Sequence, residues 1–260
     1  NSLEVFRDGT LLPLVAYTFS APSVDLVTAA TAGEVYSSKY WTFDPSPAAS
    51  VFSVAGFDLD AVAFLTATSI TDPTISAAIN TLVLDLKACG VWSKCTLIYP
   101  FVGGSSATHA VNLKSPGTFD VTWTGTIIHS ATGVQGDGST GHGMTGCNPS
   151  TDIATADDVH FAVYSRTNSA STSMEMGSWG GAAPYLGMYI RYTDNAGYAY
   201  TDSNGPGYEQ IVAASNPSSD AFYIASRTSS SASAMYRNGV AGSGSLGTGV
   251  GALPNVECAL

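Results

Sequence analysis

The chain has 260 residues, of which 45% are hydrophobic and 11% charged, and its formal net charge is −11. This apolar share excludes wholesale disorder, and the length is ample for a hydrophobic core. The acidic balance argues against anionic partners, so we expect neither nucleic-acid binding through a basic surface nor attachment to an anionic membrane. No apolar stretch reaches the roughly 18 residues that a membrane-spanning helix needs.

Residues 1–56 are predicted to form a small β-rich N-terminal or anchoring section. Residues 11–19 and 51–54 are rich in β-branched and aromatic side chains, as short strands are. Asp8-Gly9 is a turn signal ahead of the first of these strands. A cluster of prolines near residue 45 then interrupts regular structure.

Residues 57–114 are predicted to form a helical connector. Its clearest helix is Pro73–Ala88, because Asp72 can cap the first turn and Gly90 can end the last one. The apolar residues of this helix recur at helical spacing on one face, namely Ile75, Ile79, Leu82 and Leu86. A shorter helix at 57–65, capped by Asp58 or Asp60, precedes it, and a strand at 96–101 follows it.

Residues 115–260 are predicted to form a β-sandwich, because short apolar runs alternate there with Gly/Ser/Asn turns. The predicted strands are 119–123, 160–165, 173–177, 186–192, 221–226 and 234–237. Asn238-Gly239 is a strong signal for a tight turn. The whole chain is therefore predicted to be mainly β, with one helical segment.

Two segments of this half resemble each other. Residues 159–167 and 221–228 each form a strand that ends in Ser-Arg-Thr and is followed by a Ser/Thr loop. One interpretation is a pair of hairpins of one design, lying in two facing sheets. The other is independent convergence on a common strand-and-loop pattern.

No catalytic or cofactor motif stands out. Two GxGxxG matches, at 136–141 and 242–247, lack the following helix that dinucleotide binding requires. A GxSxG nucleophile elbow is absent, and the scattered glutamates offer only Glu175 on a strand as a glycosidase carboxylate. The chain is therefore predicted not to be an enzyme.

Metal and thiol chemistry are only weakly indicated. Loop oxygens that would suit calcium occur at Asp194-Asn195, Asp202-Ser203-Asn204-Gly205 and Asp157-Asp158, and Asx-turn capping is the alternative interpretation. No other cofactor is expected. Cys89, Cys95, Cys147 and Cys258 lack zinc-site spacing, so they are predicted to be buried free thiols, with a Cys89–Cys95 disulfide as the alternative.

Aromatic side chains near polar loops are candidates for stacking on sugar rings, and core packing is their alternative role. These aromatic candidates are Trp179, Tyr198, Tyr200 and Tyr208, joined by the hydroxyl-bearing residues Ser229, Ser230 and Ser231. The loops 168–173 and 229–233 carry no charge and little apolar surface. We predict that they form one end of the sandwich, with Trp179 nearby, as the surface that contacts a glycan or a neighbouring subunit.

Several motifs occur in the same order as in a known family. They include Asp72-Pro73-Thr74, Ile98-Tyr99-Pro100-Phe101-Val102-Gly103-Gly104, Asn112-Leu113-Lys114, Tyr164-Ser165-Arg166-Thr167-Asn168, Ser226-Arg227-Thr228-Ser229 and Tyr236-Arg237-Asn238-Gly239. Over residues 56–255 the chain resembles a family of tailed-phage virion proteins, in which a helix and the YPFVGG segment lead into a concanavalin A-like (laminin G-like) jelly roll.

The resemblance implies a structural component of a bacteriophage virion, such as a fibre, spike, decoration or tail protein, with no catalysis. It also implies a lectin-like jelly roll over 115–260 that is incomplete at its C-terminal end. The expected partners are other virion proteins, further copies of the chain and host surface glycans. The alternative function is a carbohydrate-binding module of a secreted or viral glycan-active protein.

Overall fold

The computed structural model describes the backbone of five short N-terminal strands and residues 56–181, 184–203, 209–210, 216, 218–242 and 252–260. The fold is mainly β, with several antiparallel sheets. The chain divides into two compact units, Asn1–Asp58 and Leu59–Leu260.

The described residues of the N-terminal unit form five strands, which are β1 (Val5–Arg7), β2 (Thr10–Leu11), β3 (Tyr17–Ser20), β4 (Ser23–Leu26) and β5 (Tyr36–Ser38). They form one sheet of order β2-β1-β5 and one β3-β4 pair. The strands β1 and β2 pair antiparallel with Phe6 opposite Leu11. The turn predicted at Asp8-Gly9 lies outside the described residues. The predicted strand at 51–54 lies outside the described residues.

The second unit contains four α-helices, one 3-10 helix (Trp92–Lys94) and twelve strands among its described residues. The helices are α1 (Leu59–Thr68), α2 (Pro73–Ala88), α3 (Ser106–Ala110) and α4 (Pro149–Asp152). The strands are β6 (Thr122–Thr124), β7 (Ile127–Ser130), β8 (Gly133–Gly136), β9 (His142–Met144), β10 (Val159–Ser165), β11 (Met176–Ser178), β12 (Tyr185–Tyr189), β13 (Tyr198–Ser203), β14 (Glu209–Gln210), β15 (Ala221–Ser229), β16 (Ala232–Arg237) and β17 (Val240–Ala241).

The sequence prediction of α2 is confirmed at both ends. Asp72 Oδ1 accepts hydrogen bonds from the amides of Thr74 (2.8 Å) and Ile75 (3.0 Å). At the other end Gly90 has φ +71°, and the Val91 amide donates to the Leu86 carbonyl in a Schellman closure. Local capping chemistry therefore determines the length of this helix.

The predicted apolar face of α2 needs one correction. Ile79 and Val83 of α2 are buried, as are Phe64 and Leu65 of the contacting helix α1, but Leu82 is 36% exposed. The buried stripe is centred on Ile79 and Val83. Val83, four residues after Ile79, lies closer to the same side of the helix than Leu82, three residues after it. The predicted first helix is present, but it begins at Leu59 rather than residue 57 and runs on to Thr68 rather than ending at residue 65.

Replacing Asp72 with alanine is expected to lower the free energy of unfolding by about 1 kcal/mol, because two first-turn amides lose their acceptor. Chemical denaturation followed by circular dichroism measures the change. Asp72→Asn is the matched control, since asparagine caps equally well and should retain nearly all of the stability. An equal loss in both variants would contradict the capping explanation.

The predicted strand at 96–101 is wrong. The backbone of residues 96–101 forms hydrogen bonds with a side chain and with a loop instead of with a neighbouring strand. The Ile98 amide donates to the buried Asn112 side chain (2.9 Å), and the Ile98 carbonyl accepts from the Leu113 amide (2.8 Å). Asn112 therefore organises this segment in place of a β-ladder.

The larger strands form two antiparallel sheets, named here sheet A (β10-β15-β16-β17) and sheet B (β11-β12-β13-β14). Their facing sides share one hydrophobic core, made of Met188, Ile190 and Ala199 from the sheet B region and Ala221, Tyr223, Ala225 and Met235 from sheet A. Along β15 buried and more exposed residues alternate, as expected for a strand with one face on a core.

Residues 258–260 extend sheet B. The backbone of Leu260 exchanges hydrogen bonds with Gly143 of β9 (2.8 and 2.9 Å), and that of Ala259 does so with Gly177 of β11 (2.7 and 2.9 Å). The end of the chain thus joins the β6-β9 pair to sheet B.

The predicted pair of similar hairpins needs correction. β10 and β15, the two strands ending in Ser-Arg-Thr, are direct antiparallel neighbours in sheet A rather than members of facing sheets. The chain leaves β10 and crosses to sheet B, so the first predicted hairpin does not form. The second predicted hairpin is β15-β16, and its tip is tight rather than wide. The turn predicted at Asn238-Gly239 is confirmed, since both residues have positive φ and Arg237 pairs with Val240.

Candidate functional site

A row of aromatic side chains lies on the face of sheet B that points away from the core. Met188 and Ala199 point into the core, so the alternation of a strand directs Tyr189, Tyr198 and Tyr200 to the opposite face. Tyr185 shares this face, and Trp179 follows β11 beside it. We call these residues, together with Tyr192, the aromatic stripe.

The six rings of the stripe contact one another in sequence. Trp179 stacks on Tyr185 with 3.9 Å between centroids and 18° between planes. Tyr200 meets Trp179 edge-on at 5.3 Å. The chain of edge-on contacts continues from Tyr200 through Tyr189 and Tyr192 to Tyr198 at 5.5 to 6.3 Å. Such geometries are the favoured ones for aromatic pairs and make the stripe a stiff surface.

The exposed fractions of Tyr200 and Trp179 give these two rings different roles. Tyr200 is only 4% exposed and packs beneath its neighbours, so its role is the packing alternative considered for it. Trp179 is 43% exposed although Tyr185 covers one of its faces. A large indole that is stacked on one side and keeps an open surface is suited to stacking on a flat, weakly polar ligand.

Gly187 leaves a gap in the middle of the stripe. It lies opposite Tyr200 on the neighbouring strand, and the Met174 side chain and Met176 carbonyl occupy the space that a Cβ atom would need. The row therefore has a gap in side chains between Tyr185 and Tyr189, filled by Met174 from above.

The predicted contact residues lie at two opposite ends of the sheets. Arg227, only 1% exposed, donates to the Thr201 carbonyl of sheet B and to the carbonyls of Ser229 (3.2 Å) and Ser230 (3.1 Å). Thr201 pairs with Leu186, which pairs with Ser178, the neighbour of Trp179. The turn with the exposed Ser230 and Ser231 thus lies at the same end of the sheets as Trp179.

Tyr198 lies at the opposite end of the stripe, where its hydroxyl donates to the Asp194 carboxylate. Tyr208 lies outside the described residues. The predicted joint surface of loops 168–173 and 229–233 is wrong: Ser165 pairs with Ala221 at one end of β15, whereas Ser229 is at the other end. Antiparallel pairing of β10 and β15 separates the two loops by the length of the sheet.

The loop at 168–173 is held by side-chain hydrogen bonds. Asn168 Oδ1 accepts from Arg191 Nη1 (2.7 Å) and from the Ser219 amide (3.2 Å). Ser219 Oγ in turn donates to the Thr167 carbonyl (2.7 Å). These contacts give this loop a structural role in joining the two sheets.

Two carboxylates on sheet B have pKa values shifted in opposite directions. Burial raises the pKa of Glu175 to about 7, although a hydrogen bond from the Ile190 amide (2.8 Å) works against this shift. The hydrogen bond from the Tyr198 hydroxyl, followed by that from the Ala196 amide, lowers the pKa of Asp194. Glu175 is thus occupied by a backbone contact and titrates near neutrality.

One of the predicted calcium-binding loops has the alternative role that was considered for it. Asp194 Oδ1 accepts the Ala196 amide (2.9 Å), which confirms Asx-turn capping there. Within the described part of the chain, His, Cys, Asp and Glu side chains form no group of three that could hold a metal ion.

The first GxGxxG match is a turn between strands. Asp137 lies between β8 and β9, and its carboxylate accepts hydrogen bonds from the amides of Ser139, Thr140 and Gly141. Since no helix follows, the segment lacks the amide end that would hold a pyrophosphate. Most of the second match, 243–247, lies outside the described residues.

All four cysteines are free thiols, as predicted, and the alternative Cys89–Cys95 disulfide is not formed. Cys147 is buried as expected, but Cys89 is exposed because it lies just past the last turn of α2. Cys258 is partly buried, and its amide donates to the Cys147 carbonyl (2.8 Å) where residues 258–260 join the sheet.

Sequence reasoning missed a histidine pair beside the YPFVGG segment. The Gly104 amide donates to His109 Nε2 (3.2 Å), so the His109 proton is on Nδ1, where it faces His129 Nδ1 at 3.0 Å. Burial, and then His129, lower the pKa of His109. Trp123 contacts both Phe101 and His129, so the pair lies within a cluster of aromatic rings.

Sequence reasoning also missed Tyr185 and Tyr189, although their alternation with Leu186 and Met188 was a usable signal.

In comparisons with protein-family models, curated proteins and solved structures, no match to this chain was found.

Among the described residues, each helix is too short or too polar to cross a bilayer.

Proposed function

We propose that this chain is a non-enzymatic structural component of a tailed-phage virion, and that its aromatic stripe binds a glycan at the Trp179 end. The observation that carries the proposal is the exposed Trp179 ring, fixed by its stack on Tyr185. The virion assignment is supported by the order of the family-like motifs along the chain and by its low content of charged residues.

We also infer that sheets A and B are the two halves of a concanavalin A-like jelly roll. Their shared core and the long-range pairing of β10 with β15 support this inference. Insertion of residues 258–260 between β9 and β11 supports it further, because it pairs segments that are far apart in sequence.

The chemistry at the Trp179 end fits a sugar better than a charged ligand. Trp179 and Tyr185 provide apolar surface, while Ser230 and Ser231 at the same end of the sheets provide hydroxyl groups. A sugar ring needs both, since its C–H face packs on an aromatic ring and its hydroxyls need hydrogen-bonding partners.

Trp179→Ala tests the proposed binding surface. We expect the purified chain to bind at least one glycan on an array, and the variant to bind it about tenfold or more weakly, because a central aromatic anchor contributes at least that much. Phe222→Ala is the matched control: Phe222 is 41% exposed, almost the same as Trp179, but it lies on sheet A. Equal binding by Trp179→Ala and wild type would contradict the proposed site.

A labelled antibody against the chain, applied to purified virions and imaged by electron microscopy, tests the location. Labelling of particles is expected. Glycan binding without any labelling of particles would favour the second candidate, a carbohydrate-binding module of a secreted or viral glycan-active protein, which the exposed Trp179 supports equally.

A further inference from the structure

We propose that β10 pairs with β10 of a second copy of this chain, antiparallel and about a two-fold axis at Ala162. β10 is an edge strand: it pairs with β15 on one side, and no described strand pairs with it on the other. The open side of such a strand presents a row of amide and carbonyl groups that can pair with another chain.

This edge lacks the features that usually prevent pairing. β10 is seven residues long, contains no proline, glycine or charged residue, and pairs with β15 without a bulge. The opposite edge of sheet A is β17, which has only two residues. A second β10 would add about six to eight backbone hydrogen bonds along the open edge.

The side chains of β10 are self-complementary about Ala162. Phe161 and Val163 pack against the core, and pairing about Ala162 places each opposite the other residue of the second copy. On the outer face His160 meets Tyr164, which is 65% exposed. A shift of one residue would place core-facing side chains opposite solvent-facing ones, so this register is strongly favoured over its neighbours.

Charge complementarity identifies a second copy as the occupant. Asp158 and Arg166 are both exposed and are equally far from Ala162 on its two sides, so the two-fold axis places each opposite the other in the second copy. Arg166 uses Nη1 to donate to the Thr132 carbonyl (3.0 Å), and its guanidinium has further donors for a carboxylate. A shift of two residues would lose both ion pairs.

Sedimentation equilibrium of the purified full chain at concentrations around 10 to 100 µM tests the proposal, because an edge interface of this size is expected to associate in that range. Wild type is expected to dimerise. Asp158→Arg and Arg166→Asp should each weaken the dimer about tenfold, and the double variant should recover most of the affinity. A monomeric wild type, or a double variant no better than the single ones, would overturn the proposal.

Two further measurements distinguish an effect on β10 pairing between copies from an effect on folding. Ala162→Lys places two lysines opposite each other at the axis and should abolish the dimer, whereas Ala234→Lys, on the same face of the inner strand β16, should not. Hydrogen exchange of wild type at two concentrations needs no variant. Amides of β10 that become more protected as concentration rises support the pairing, and protection independent of concentration refutes it.

Discussion

Replacing Arg227 with methionine is expected to lower the free energy of unfolding by about 2 to 4 kcal/mol. The guanidinium is buried and donates to three carbonyls, at Thr201, Ser229 and Ser230. Methionine fills much of the same volume but has no donor, so the carbonyls of two sheets and one turn lose their partner. Each unpaired buried acceptor costs about 1 to 3 kcal/mol, offset in part because the charge need no longer be desolvated.

Urea denaturation followed by tryptophan fluorescence measures this loss. Thr228→Ala is the matched control, since Thr228 is the next residue of β15 but is exposed, and it should stay within about 0.5 kcal/mol of wild type. Arg227→Lys should fall between the two, because one ammonium cannot reach all three carbonyls in the way a guanidinium does. If Arg227→Met unfolds at the wild-type urea concentration, Arg227 does not hold the sheets together.

Replacing Glu175 with glutamine is expected to stabilise the protein at alkaline pH. The pKa of Glu175 is raised from its ordinary 4.5 to about 7, chiefly by burial. The folded state therefore binds the proton more tightly than the unfolded state, and wild-type stability falls as pH rises from about 4.5 through 7. Glutamine never ionises and can still accept the Ile190 amide, so it avoids this loss.

The expected gain is about 2 kcal/mol at pH 8 to 9 and near zero at pH 4. A pKa difference of this size sets an upper limit of about 3 kcal/mol. Partial contact of the side chain with solvent reduces that figure. Thermal and urea unfolding across this pH range measure the gain, and a gain that is the same at both ends of the range would contradict the assignment.

Asp194→Asn is a control for which the expected dependence of stability on pH has the opposite sign. The hydrogen bonds from Tyr198 and Ala196 lower the pKa of Asp194, so the folded state favours its charged form. Wild type should therefore be more stable than Asp194→Asn near neutral pH, and this advantage should disappear as pH falls below the ordinary value of 3.8.

Features set by neighbouring residues were predictable from the sequence. The helix Pro73–Ala88 has its N-cap, its first-turn proline and its terminal glycine within one stretch of chain, and all three act as expected. The tight turn at Asn238-Gly239 is local in the same sense, because positive φ at two adjacent residues is a property of those residues. The mainly β character of the second half follows from its alternating short runs.

Features set by distant partners were not predictable. The segment at 96–101 has strand-like composition, yet Asn112 satisfies its backbone and no strand forms. Arg227 lies just past the predicted strand 221–226, yet β15 includes it and strand alternation points it between the sheets, where it is buried. One interpretation placed the two similar strands in facing sheets, and instead they pair side by side.

The sequence by itself therefore determined the capped helix, the tight turn and the abundance of short strands, because each depends on the conformational preferences of adjacent residues. Tertiary structure decided which strands pair, which end of the sheets each loop occupies, and that Trp179 rather than Tyr200 keeps an exposed ring. Burial and strand order depend on contacts between residues far apart in the chain, and neither composition nor spacing specifies those contacts.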